Sequence, residues 1–480
     1  MKKFLLVFLG LGMLLAGCQK PEDDPVVEKA AAPKLVSASP ADGATDVSYE
    51  GLELTLTFDV LVQCPSDQRS RITVDNGASI DKIELFPRNI VLDISGLEPS
   101  VTYKVTFPKG TVVGYQENEA EAFSVSFTTK AEEKVEEPYT PSALDPVKSL
   151  VNPNATREAK NVYAFLLEQS GKKTLSGVQS SASNTNDMVN HIFDKTGKHP
   201  ALAGYDFLFL HFSPTPDGWS WVQNYNDISA AKEQWKNNGL VNYMWHWNVP
   251  KSEADWRNGN IDGGYAFYTD ETSFDINAAL TEGTWQNEFI MQDIEEVAGV
   301  LKQLQEENIP VIWRPLHEAA GNYDLYGPNG AWFWWGRKGA EPCKKLWKLL
   351  YEQLVEVHGL DNLIWVWTVD VTKGAEDQYL DWYPGDEYVD ILGVDIYEEN
   401  TDAKNRQYQA LVDMTGGKKL VTVSECGNIP DPKKCMAAGN KWSWFMVWPG
   451  DGWKLNTDAY WKQVMADPRT LTREAMPSLK

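Results

Sequence analysis

Two short apolar runs that each lead into a glutamate constrain the second half of this chain most strongly. The first run, 309–315, is rich in β-branched and aromatic residues and is followed closely by His317 and Glu318. The second run, 420–424, has the same character and leads into Glu425. Apolar runs of this length fit parallel strands that are buried on both faces. Packing does not require charge at the end of such a strand, so both glutamates are predicted to lie at a functional rim.

Residues 145–480 contain eight strand-like runs that alternate with amphipathic stretches such as 289–307 and 342–358. Eight strand–helix units fit a (β/α)8 TIM barrel, whose active residues lie at the C-terminal ends of the strands. The predicted strands are 173–178, 201–207, 240–247, 310–315, 363–367, 389–396, 420–424 and 443–448. The residues at or just after their C-terminal ends include Asp206, His246, Trp247, Asp395, Tyr397 and Trp448, in addition to the two glutamates.

The two glutamates match the chemical needs of glycoside hydrolysis. One carboxyl group protonates the leaving oxygen, while the other is a nucleophile or a base for water. The aromatic run 332–336 follows Glu318, and an aromatic shell favours the protonated form of a carboxyl group, which suits the acid/base. Glu425 has to stay ionised, and Arg314 on the fourth predicted strand is placed to hold it so.

Two of the six histidines, His246 and His317, fall at predicted strand ends. They are expected to hydrogen-bond sugar hydroxyls or the carboxylates. A metal site of His and Glu is the competing interpretation, but neighbours on a strand such as His317 and Glu318 point in different directions. The chain contains no HExxH motif and no zinc-type cysteine pair. We therefore expect no metal and no cofactor.

A set of short motifs resembles glycoside hydrolase family 26. The motifs are Arg314-Pro315-Leu316-His317-Glu318 with 332–336 after it, Tyr383-Pro384-Gly385-Asp386, Gly393-Val394-Asp395-Ile396-Tyr397 and Ser424-Glu425-Cys426-Gly427. The resemblance implies a retaining β-1,4-mannanase on a (β/α)8 barrel, with Glu318 as acid/base and Glu425 as nucleophile. It implies that the substrate-binding residues are His246, His317, Trp332, Tyr397 and Trp448, with Arg314 and Asp395 beside them. Tyr397 is expected to hydrogen-bond the nucleophile, and Trp448 is expected to lie beneath the sugar ring.

The resemblance leaves several functions open. The first is an endo-acting β-mannanase that cuts mannan or galactomannan, as polysaccharide or oligosaccharide. The same chemistry fits an exo-acting enzyme that releases mannobiose, a β-glucanase or a β-1,3-xylanase. A surface glycan-binding protein with an inactive barrel is the alternative from another class. The presence of both Glu318 and Glu425 speaks against it, because a binding protein has no need of both.

Residues 1–17 have the features of a secretory signal peptide: a basic start, the short apolar run 4–15 and small residues before Cys18. The sequence Leu15-Ala16-Gly17-Cys18 resembles the bacterial lipobox, in which the cysteine is lipidated. Residues 18–32 are predicted to be a polar tether, and the acidic cluster after Cys18 resembles the export signal of Bacteroidetes surface lipoproteins. We therefore expect a lipid anchor in the outer membrane, with exposure at the cell surface or, alternatively, at the periplasmic face. Other polysaccharide-utilisation proteins are expected as partners there.

Residues 33–130 form a separate block without tryptophan, whereas the whole chain has 20. Runs such as 52–58 and 123–127 alternate with period two and are separated by turn residues, which predicts an all-β sandwich. The block resembles bacterial Ig-like domains and is expected to be a spacer. A charged, proline-containing linker, 131–144, precedes the predicted barrel domain at 145–480.

The charge and the cysteine count add two limits. The net charge of −24 argues against binding to nucleic acid, whose phosphates would be repelled. Four of the five cysteines remain besides Cys18. In an exported protein some of these are expected to pair, although their spacing does not reveal which ones.

Overall fold

The computed structural model describes most of the chain, and the chain divides into two compact units between Lys134 and Val135. The described residues are 31–115, 118–131, 139–181, 184–208, 210, 224–261, 263–320, 331–370, 379–449 and 455–480. The predicted signal peptide, Cys18 and most of the predicted tether lie outside these residues. Within the described ranges we find no helix with the length and hydrophobicity of a membrane span.

The N-terminal unit is a sandwich of two four-stranded sheets. Its strands are β1 (Leu35–Ser39), β2 (Ala44–Val47), β3 (Leu52–Phe58), β4 (Val62–Gln63), β5 (Thr73–Val74), β6 (Ser79–Leu85), β7 (Asn89–Ser95), β8 (Thr102–Phe107), β9 (Val113–Gly114) and β10 (Phe123–Thr129). One sheet has the order β1-β3-β7-β6 and the other β2-β10-β8-β5, while β4 and β9 form a separate pair. The predicted all-β, Ig-like sandwich is therefore confirmed.

Alternating side chains of the two sheets form the core of this unit. Leu54, Leu56 and Phe58 are buried on β3, and Val125 and Phe127 are buried on β10. Each fully buried side chain of this kind contributes about 1.5–3 kcal/mol. This core shares no residue with the core of the second unit, so each unit is stabilised by its own apolar side chains.

The second unit contains eight parallel strands that close into a barrel. They are β11 (Thr174–Gln179), β12 (Leu202–Asp206), β13 (Leu240–Met244), β16 (Val311–Arg314), β17 (Leu363–Asp370), β18 (Ile391–Ile396), β19 (Leu420–Cys426) and β20 (Trp444–Val447). Each strand pairs with the next, and β11 pairs with both β12 and β20, which closes the barrel. Shorter strands are β14 (Val249–Pro250), β15 (Tyr265–Ala266) and β21 (Thr470–Leu471). All eight predicted strands are present, and the predicted (β/α)8 barrel is confirmed.

Helices alternate with the barrel strands along the chain. They are α1 (Arg157–Gln169), α2 (Asp187–Thr196), α3 (Ser229–Lys236), α4 (Glu253–Arg257), α5 (Ile276–Ala279), α6 (Trp285–Glu306), α7 (Ala340–Tyr351), α8 (Tyr379–Trp382), α9 (Asn405–Met414), α10 (Pro432–Ala438) and α11 (Asp458–Ala466). A π-helical segment, Glu352–Val357, continues α7. Short 3-10 turns lie at Arg69–Arg71, Thr269–Glu271, Trp334–Gly336, Asp386–Tyr388 and Arg473–Ala475.

Helix α6 shows why these segments are helical. The hydroxyl of Thr284 accepts a hydrogen bond from the backbone N–H of Asn287, which caps the first turn. Its buried residues recur every three or four positions, so one face of the helix is apolar and covers the core.

The parallel arrangement places the C-terminal ends of the eight strands at one rim of the barrel. Arg314 is the last residue of β16, while Asp395 and Glu425 each lie one residue before the end of β18 and β19. Glu425 is therefore inside its strand and not after it, because β19 continues its pairing with β18 as far as Cys426. A register shift in this pairing places Asp395 directly opposite Glu425.

The chain joins the second unit before the predicted end of the linker. The hydroxyl of Tyr139 donates to Asn440 Oδ1 at 2.9 Å, and the N–H of Ser142 donates to Gln409 Oε1 at 3.1 Å. Both residues fall within the predicted linker, 131–144. The last part of this segment is therefore fixed to the barrel unit.

The four cysteines of the described residues are free, buried thiols: Cys64, Cys343, Cys426 and Cys435. The expectation that some of them pair is wrong for these four, because each is a free thiol buried in the core of its unit. Burial raises the pKa of Cys343 and of Cys435 to about 12. Thiols with such a high pKa remain protonated and unreactive, so they serve packing.

We predict that Val135–Lys480 folds when expressed alone, because its core consists of its own residues. Differential scanning calorimetry should show one cooperative transition, within about 2–4 °C of the matching transition in the intact chain, the shift that about 1 kcal/mol produces. Residues 31–131 expressed alone are the matched control and should give the other transition. Loss of cooperative unfolding in either fragment would contradict the division into independent units.

Candidate active site

A buried arginine lies at the centre of the rim. Arg314 is only 2% exposed and extends from β16 toward β18 and β19. Its Nη1 donates to Asp395 Oδ2 at 2.9 Å, and its Nη2 donates to Glu425 Oε2 at 2.6 Å. One cation therefore positions two carboxylates that come from two neighbouring strands.

The two carboxylates in turn stabilise the charge of Arg314. Burial opposes the charged form, but Asp395 and Glu425 outweigh burial and raise the pKa of Arg314 above its usual value. The guanidinium group therefore stays protonated throughout the pH range in which proteins are folded. Its planar fork can donate to two acceptors in fixed directions, which the single ammonium group of a lysine does not do.

Three carboxyl groups converge around this cation. One oxygen each from Glu318, Asp395 and Glu425 lies within 4.8 Å of the others. Burial raises the pKa of Asp395, while Arg314 and hydrogen bonds with Ser424 and Glu318 oppose the rise. A hydrogen bond between two carboxyl groups requires a proton, so Asp395 and Glu318 share one between them.

Glu425 titrates near neutral pH. Burial and the charge of Asp395 raise the pKa of Glu425 to about 7, although Arg314 and Tyr397 oppose the rise. Arg314 does not prevail because its single positive charge is shared with Asp395. The hydroxyl of Tyr397 donates to Glu425 Oε1, the oxygen that Arg314 does not contact. Burial and the charge of Glu425 raise the pKa of Tyr397, so the hydroxyl keeps its proton.

Glu318 reaches this cluster from a strained loop after β16. Leu316 and Glu318 have φ angles of 47° and 48°, a left-handed conformation that costs about 1–2 kcal/mol for a residue with a side chain. The N–H of Glu318 donates to the carbonyl of Thr368 at 3.2 Å, and the indole N–H of Trp335 donates to the carbonyl of His317 at 3.0 Å. These contacts hold the strained backbone, and such strain concentrates at functional sites.

Gly336 allows the aromatic run to approach this loop. A Cβ atom at this position would overlap the carbonyl oxygen of Ala319 and the side chain of Ala331. The absence of a side chain therefore lets the 3-10 turn Trp334–Gly336 lie directly against the residue that follows Glu318.

His246 and His317 form a hydrogen-bonded chain along one wall of the site. His246 Nδ1 lies 2.6 Å from Asp206 Oδ2, and His246 Nε2 lies 3.2 Å from His317 Nε2. Burial lowers the pKa of His317 well below its usual value, with smaller contributions from His246 and Arg314, so this ring is neutral. No protein atom of the described residues pairs with His317 Nδ1. This arrangement favours a proton on His317 Nε2, which is donated to His246.

Aromatic rings line the site beside the histidines. The ring centroid of Phe333 lies 5.6 Å from that of His246 and 5.3 Å from that of His317. Trp448 is half-buried and lies 5.5 Å from His246. Trp332 is also half-buried and packs on Phe333 at 5.0 Å, one ring further from the histidines. Half-buried indoles leave part of a flat apolar face available to a sugar ring.

The predicted catalytic and substrate-binding residues of the barrel all lie at this rim, while two further residues were missed. Asp206, identified only as a strand end, accepts the hydrogen bond that orients His246.

Tyr268 is 41% exposed, and its ring packs on Phe333 at 5.7 Å. Burial and the charge of Glu318 raise the pKa of Tyr268, which places its ring near the carboxylates. The aromatic cluster 265–268 was a signal for this residue, but it lies outside the predicted barrel strands.

The three carboxylates supply oxygen ligands of the type that a hard cation prefers. Arg314 already pairs with two of them, Asp395 and Glu425. The cluster therefore already contains a cation, and the donor set fits a site for proton transfer better than it fits a metal site.

We predict that Arg314→Met lowers the free energy of unfolding of the barrel unit by about 3–5 kcal/mol, because it leaves two buried carboxylates without their cation. The loss should shrink as the pH falls from about 8 to about 5. Without Arg314 the folded-state pKa values of Asp395 and Glu425 rise further above the unfolded values, and protonation then relieves the penalty. Urea unfolding at several pH values measures both effects.

Arg257→Met is the matched control for this substitution. The side chain of Arg257 is 47% exposed and pairs with Glu253 and Glu288 at the surface, so solvent screens these pairs and its loss should cost far less than the loss of Arg314 at every pH. Equal losses in the two variants would contradict the central role of Arg314.

Comparison with known proteins identifies relatives of both units. Residues 151–475 match glycosyl hydrolase family 26, and residues 29–129 match a bacterial Ig-like domain. The mannan endo-1,4-beta-mannosidase B of Piromyces sp. is 36% identical over 347 residues, which are 70% of this chain and 55% of that protein. The mannan endo-1,4-beta-mannosidase of Thermothelomyces thermophilus is 37% identical over 329 residues, 66% of this chain and 61% of that protein. The chain thus spans between half and two thirds of the length of these relatives.

Two solved structures contain a similar barrel. The GH26 domain of an endo-beta-mannanase/endo-beta-glucanase from Prevotella bryantii is 36% identical, covers 69% of this chain and 99% of that chain, and gives a TM-score of 0.63. The beta-mannanase of a symbiotic protist of the termite Reticulitermes speratus, in complex with gluco-manno-oligosaccharide, is 32% identical and covers 70% of this chain and 99% of that chain, with a TM-score of 0.59. The match to the family covers most of the chain and includes every residue of the charged rim, so the chain belongs to glycosyl hydrolase family 26.

Proposed function

We propose that the barrel unit is a retaining endo-β-1,4-mannanase that hydrolyses mannan or galactomannan by double displacement. The observation that carries the proposal is the approach of Glu318 and Glu425, which place one oxygen each within 4.8 Å. Retaining glycosidases hold their two carboxyl groups about 5–5.5 Å apart, whereas inverting enzymes leave about 6.5–9.5 Å for a water molecule. The close approach of these two oxygens supports the retaining mechanism.

The first step forms a bond between the enzyme and the sugar. An ionised oxygen of Glu425 attacks the anomeric carbon, and the bond from that carbon to the leaving oxygen breaks. The proton on Glu318 passes to the leaving oxygen. In the second step Glu318 takes a proton from water, the water oxygen attacks the anomeric carbon, and the glycosyl–Glu425 bond breaks. Both glutamates then return to their starting states.

The surroundings of the two glutamates support these separate roles. Arg314 and Tyr397 both donate to Glu425, which favours its ionised, nucleophilic form and orients it on β19. Glu318 is 3% exposed and follows a histidine whose ring is neutral, so its environment favours the protonated acid. The site therefore separates an acid from a nucleophile.

The relatives support mannan as the substrate class. The two curated relatives are named as mannan endo-1,4-beta-mannosidases, and the termite-symbiont enzyme was solved with a gluco-manno-oligosaccharide. A product profile on mannan, galactomannan, lichenan and β-1,3-xylan tests this assignment. Early release of long manno-oligosaccharides supports endo action. Mannobiose as the sole early product, or preference for lichenan or xylan, would instead support the alternatives within the family.

The two glutamates should respond differently to removal of their carboxyl groups. Glu425→Ala should abolish turnover, because no glycosyl–enzyme bond can form. Glu318→Ala should slow cleavage of mannan by about 10²–10⁴-fold, yet an aryl mannoside with a good leaving group should still give a burst of phenol. Stopped-flow release of the phenol, with and without azide, measures the two steps.

Azide distinguishes the roles and the stereochemistry in one measurement. In Glu318→Ala, azide should accelerate the second step and yield a β-glycosyl azide, since two inversions give net retention. A burst in Glu425→Ala, or a β-azide product from that variant, would show that the roles are reversed.

The pH profile should report the ionisation of Glu425. Because its pKa is about 7 and the ionised form is the nucleophile, kcat/KM should fall as the pH decreases through about 7. Asp395→Asn removes a charge that raises this pKa, so the acidic limb should move to lower pH. Tyr397→Phe removes a hydrogen bond that lowers it, so the limb should move to higher pH. Shifts in the same direction for both variants would contradict the electrostatic assignment.

We further propose that Cys18 carries lipid and anchors the chain in the outer membrane, with the enzyme exposed at the cell surface. The support is the run Leu15-Ala16-Gly17-Cys18 after a basic start and an apolar stretch. Cys18→Ser should move the protein from the membrane fraction to the soluble fraction, because the acyl chains supply the attachment. Immunoblotting of the two fractions checks this, and retention of the variant in membranes would refute the anchor.

A further inference from the structure

One end of the Ig-like unit carries a cluster of exposed apolar side chains. Leu61, Phe86 and Tyr115 are 44%, 50% and 66% exposed and are named here the apolar tip. Val36 on β1 and Leu85 on β6 are also exposed. These five are the large exposed hydrophobic residues of this unit within its described residues. Apolar side chains gathered at one end of a small unit mark a contact surface.

Backbone hydrogen bonds fix the three tip residues next to one another. Val62 on β4 pairs with Gly114 on β9, so the adjoining residues Leu61 and Tyr115 lie at neighbouring strand ends. The N–H of Val62 also donates to the carbonyl of Pro87 at 3.0 Å, which ties β4 to the turn that contains Phe86. The exposure of the tip is thus built into ordered strand ends and a turn.

The turn itself holds Phe86 at the end of its hairpin. The N–H of Phe86 donates to the carbonyl of Asn89 at 2.9 Å, and the N–H of Asn89 donates to the carbonyl of Phe86 at 3.2 Å. Phe86 is therefore the last paired residue of the β6–β7 hairpin, and its ring has no core to enter.

The chain enters the Ig-like unit at the same end. The side chain of Asn118 donates to the carbonyl of Ala31, and the N–H of Gly114 donates to the carbonyl of Asn118 at 3.0 Å. Ala31 is therefore adjacent to the β9 strand that precedes Tyr115. The chain leaves the unit at the opposite end, where the N–H of Lys130 donates to the carbonyl of Val47 at the end of β2.

Twelve residues, 19–30, separate Cys18 from Ala31. A chain of twelve residues spans at most about 40 Å when it is fully extended. A lipidated Cys18 therefore keeps the end that carries the apolar tip close to the bilayer, while the exit toward the linker lies on the far side of the unit.

We propose that the apolar tip docks on the lipid surface to which Cys18 is anchored. The inference rests on the proposed lipidation of Cys18. Aliphatic and aromatic side chains gain free energy when they leave water for the interface between head groups and acyl chains, and tyrosine suits this interface because its ring is apolar and its hydroxyl is polar. Docking fixes the orientation of the Ig-like unit, so that the linker begins on the side that faces away from the lipid.

The test uses the lipidated full-length chain, purified from membranes and reconstituted into phosphatidylcholine vesicles that contain a spin-labelled lipid. A fluorescent dye is attached to Arg88→Cys, an exposed position at the tip, or to Glu50→Cys, an exposed position at the opposite end. The native cysteines Cys64, Cys343, Cys426 and Cys435 are buried and do not compete for the dye. We expect quenching at position 88 to exceed quenching at position 50 several-fold.

The triple variant Leu61→Ser/Phe86→Ser/Tyr115→Ser should reduce quenching at position 88 to the level at position 50, while the protein stays with the vesicles through its lipid. The matched control, Leu380→Ser/Leu455→Ser, removes two exposed leucines of the barrel unit, which are 54% and 43% exposed, and should leave the quenching unchanged. Equal quenching at both positions, or quenching that survives the triple substitution, would overturn the proposal.

Two further outcomes would assign the tip to another partner and also overturn the proposal. The first is retention on β-mannan in affinity electrophoresis, and the second is dimerisation in analytical ultracentrifugation. Either outcome applies when it is lost in the triple variant and the dye at position 88 is not quenched. If mass spectrometry shows no lipid on Cys18, the lipid anchor fails separately. The same dye measurement on chain 19–480 with added vesicles then tests the tip, and absence of quenching at position 88 overturns it.

Discussion

The active rim depends on one buried cation that is shared between two carboxylates. Arg314 donates hydrogen bonds to both Asp395 and Glu425. It therefore positions the two carboxylates and also influences the pKa of each. Burial and the charge of Asp395 raise the pKa of Glu425 to about 7, and the shared charge of Arg314 opposes this rise without cancelling it. A cation that paired with Glu425 alone would lower the pKa of Glu425 further. The less basic carboxylate would then be a weaker nucleophile. The strands β16, β18 and β19 must all be in place for this balance, so the chemistry is tied to closure of the barrel.

The second requirement of the site is a loop that the local sequence alone does not favour. Leu316 and Glu318 adopt left-handed backbone conformations, and contacts from distant segments hold them there. Thr368 on β17 accepts the N–H of Glu318, and Trp335 donates to the carbonyl of His317. The unusual aromatic run 332–336 therefore does more than remove water from the acid, since it also holds the backbone that presents the acid to Glu425.

Much of the fold was predictable because its signals are local. Barrel strands such as β16 and β19 are continuous apolar runs, since a parallel strand is buried on both faces. Strands β3 and β10 of the sandwich alternate instead, because only one of their faces is buried. The rim residues were predictable for a related reason, because a charge at the end of a buried strand has no packing role. The missed residue Tyr268 lies in a connecting segment, where periodicity carries no information about what the chain contacts.

Local sequence patterns are enough to predict two units of different class, the barrel that bears Glu318 and Glu425, and Arg314 as a candidate partner for Glu425. The remaining features depend on the tertiary fold. It determined the register shift that sets Asp395 opposite Glu425 and the Asp206–His246–His317 chain. It also gathered Leu61, Phe86 and Tyr115 at the end where the chain enters the first unit. Each of these features joins residues that are distant in sequence, and the free energy that places them together comes from closing the whole barrel or sandwich.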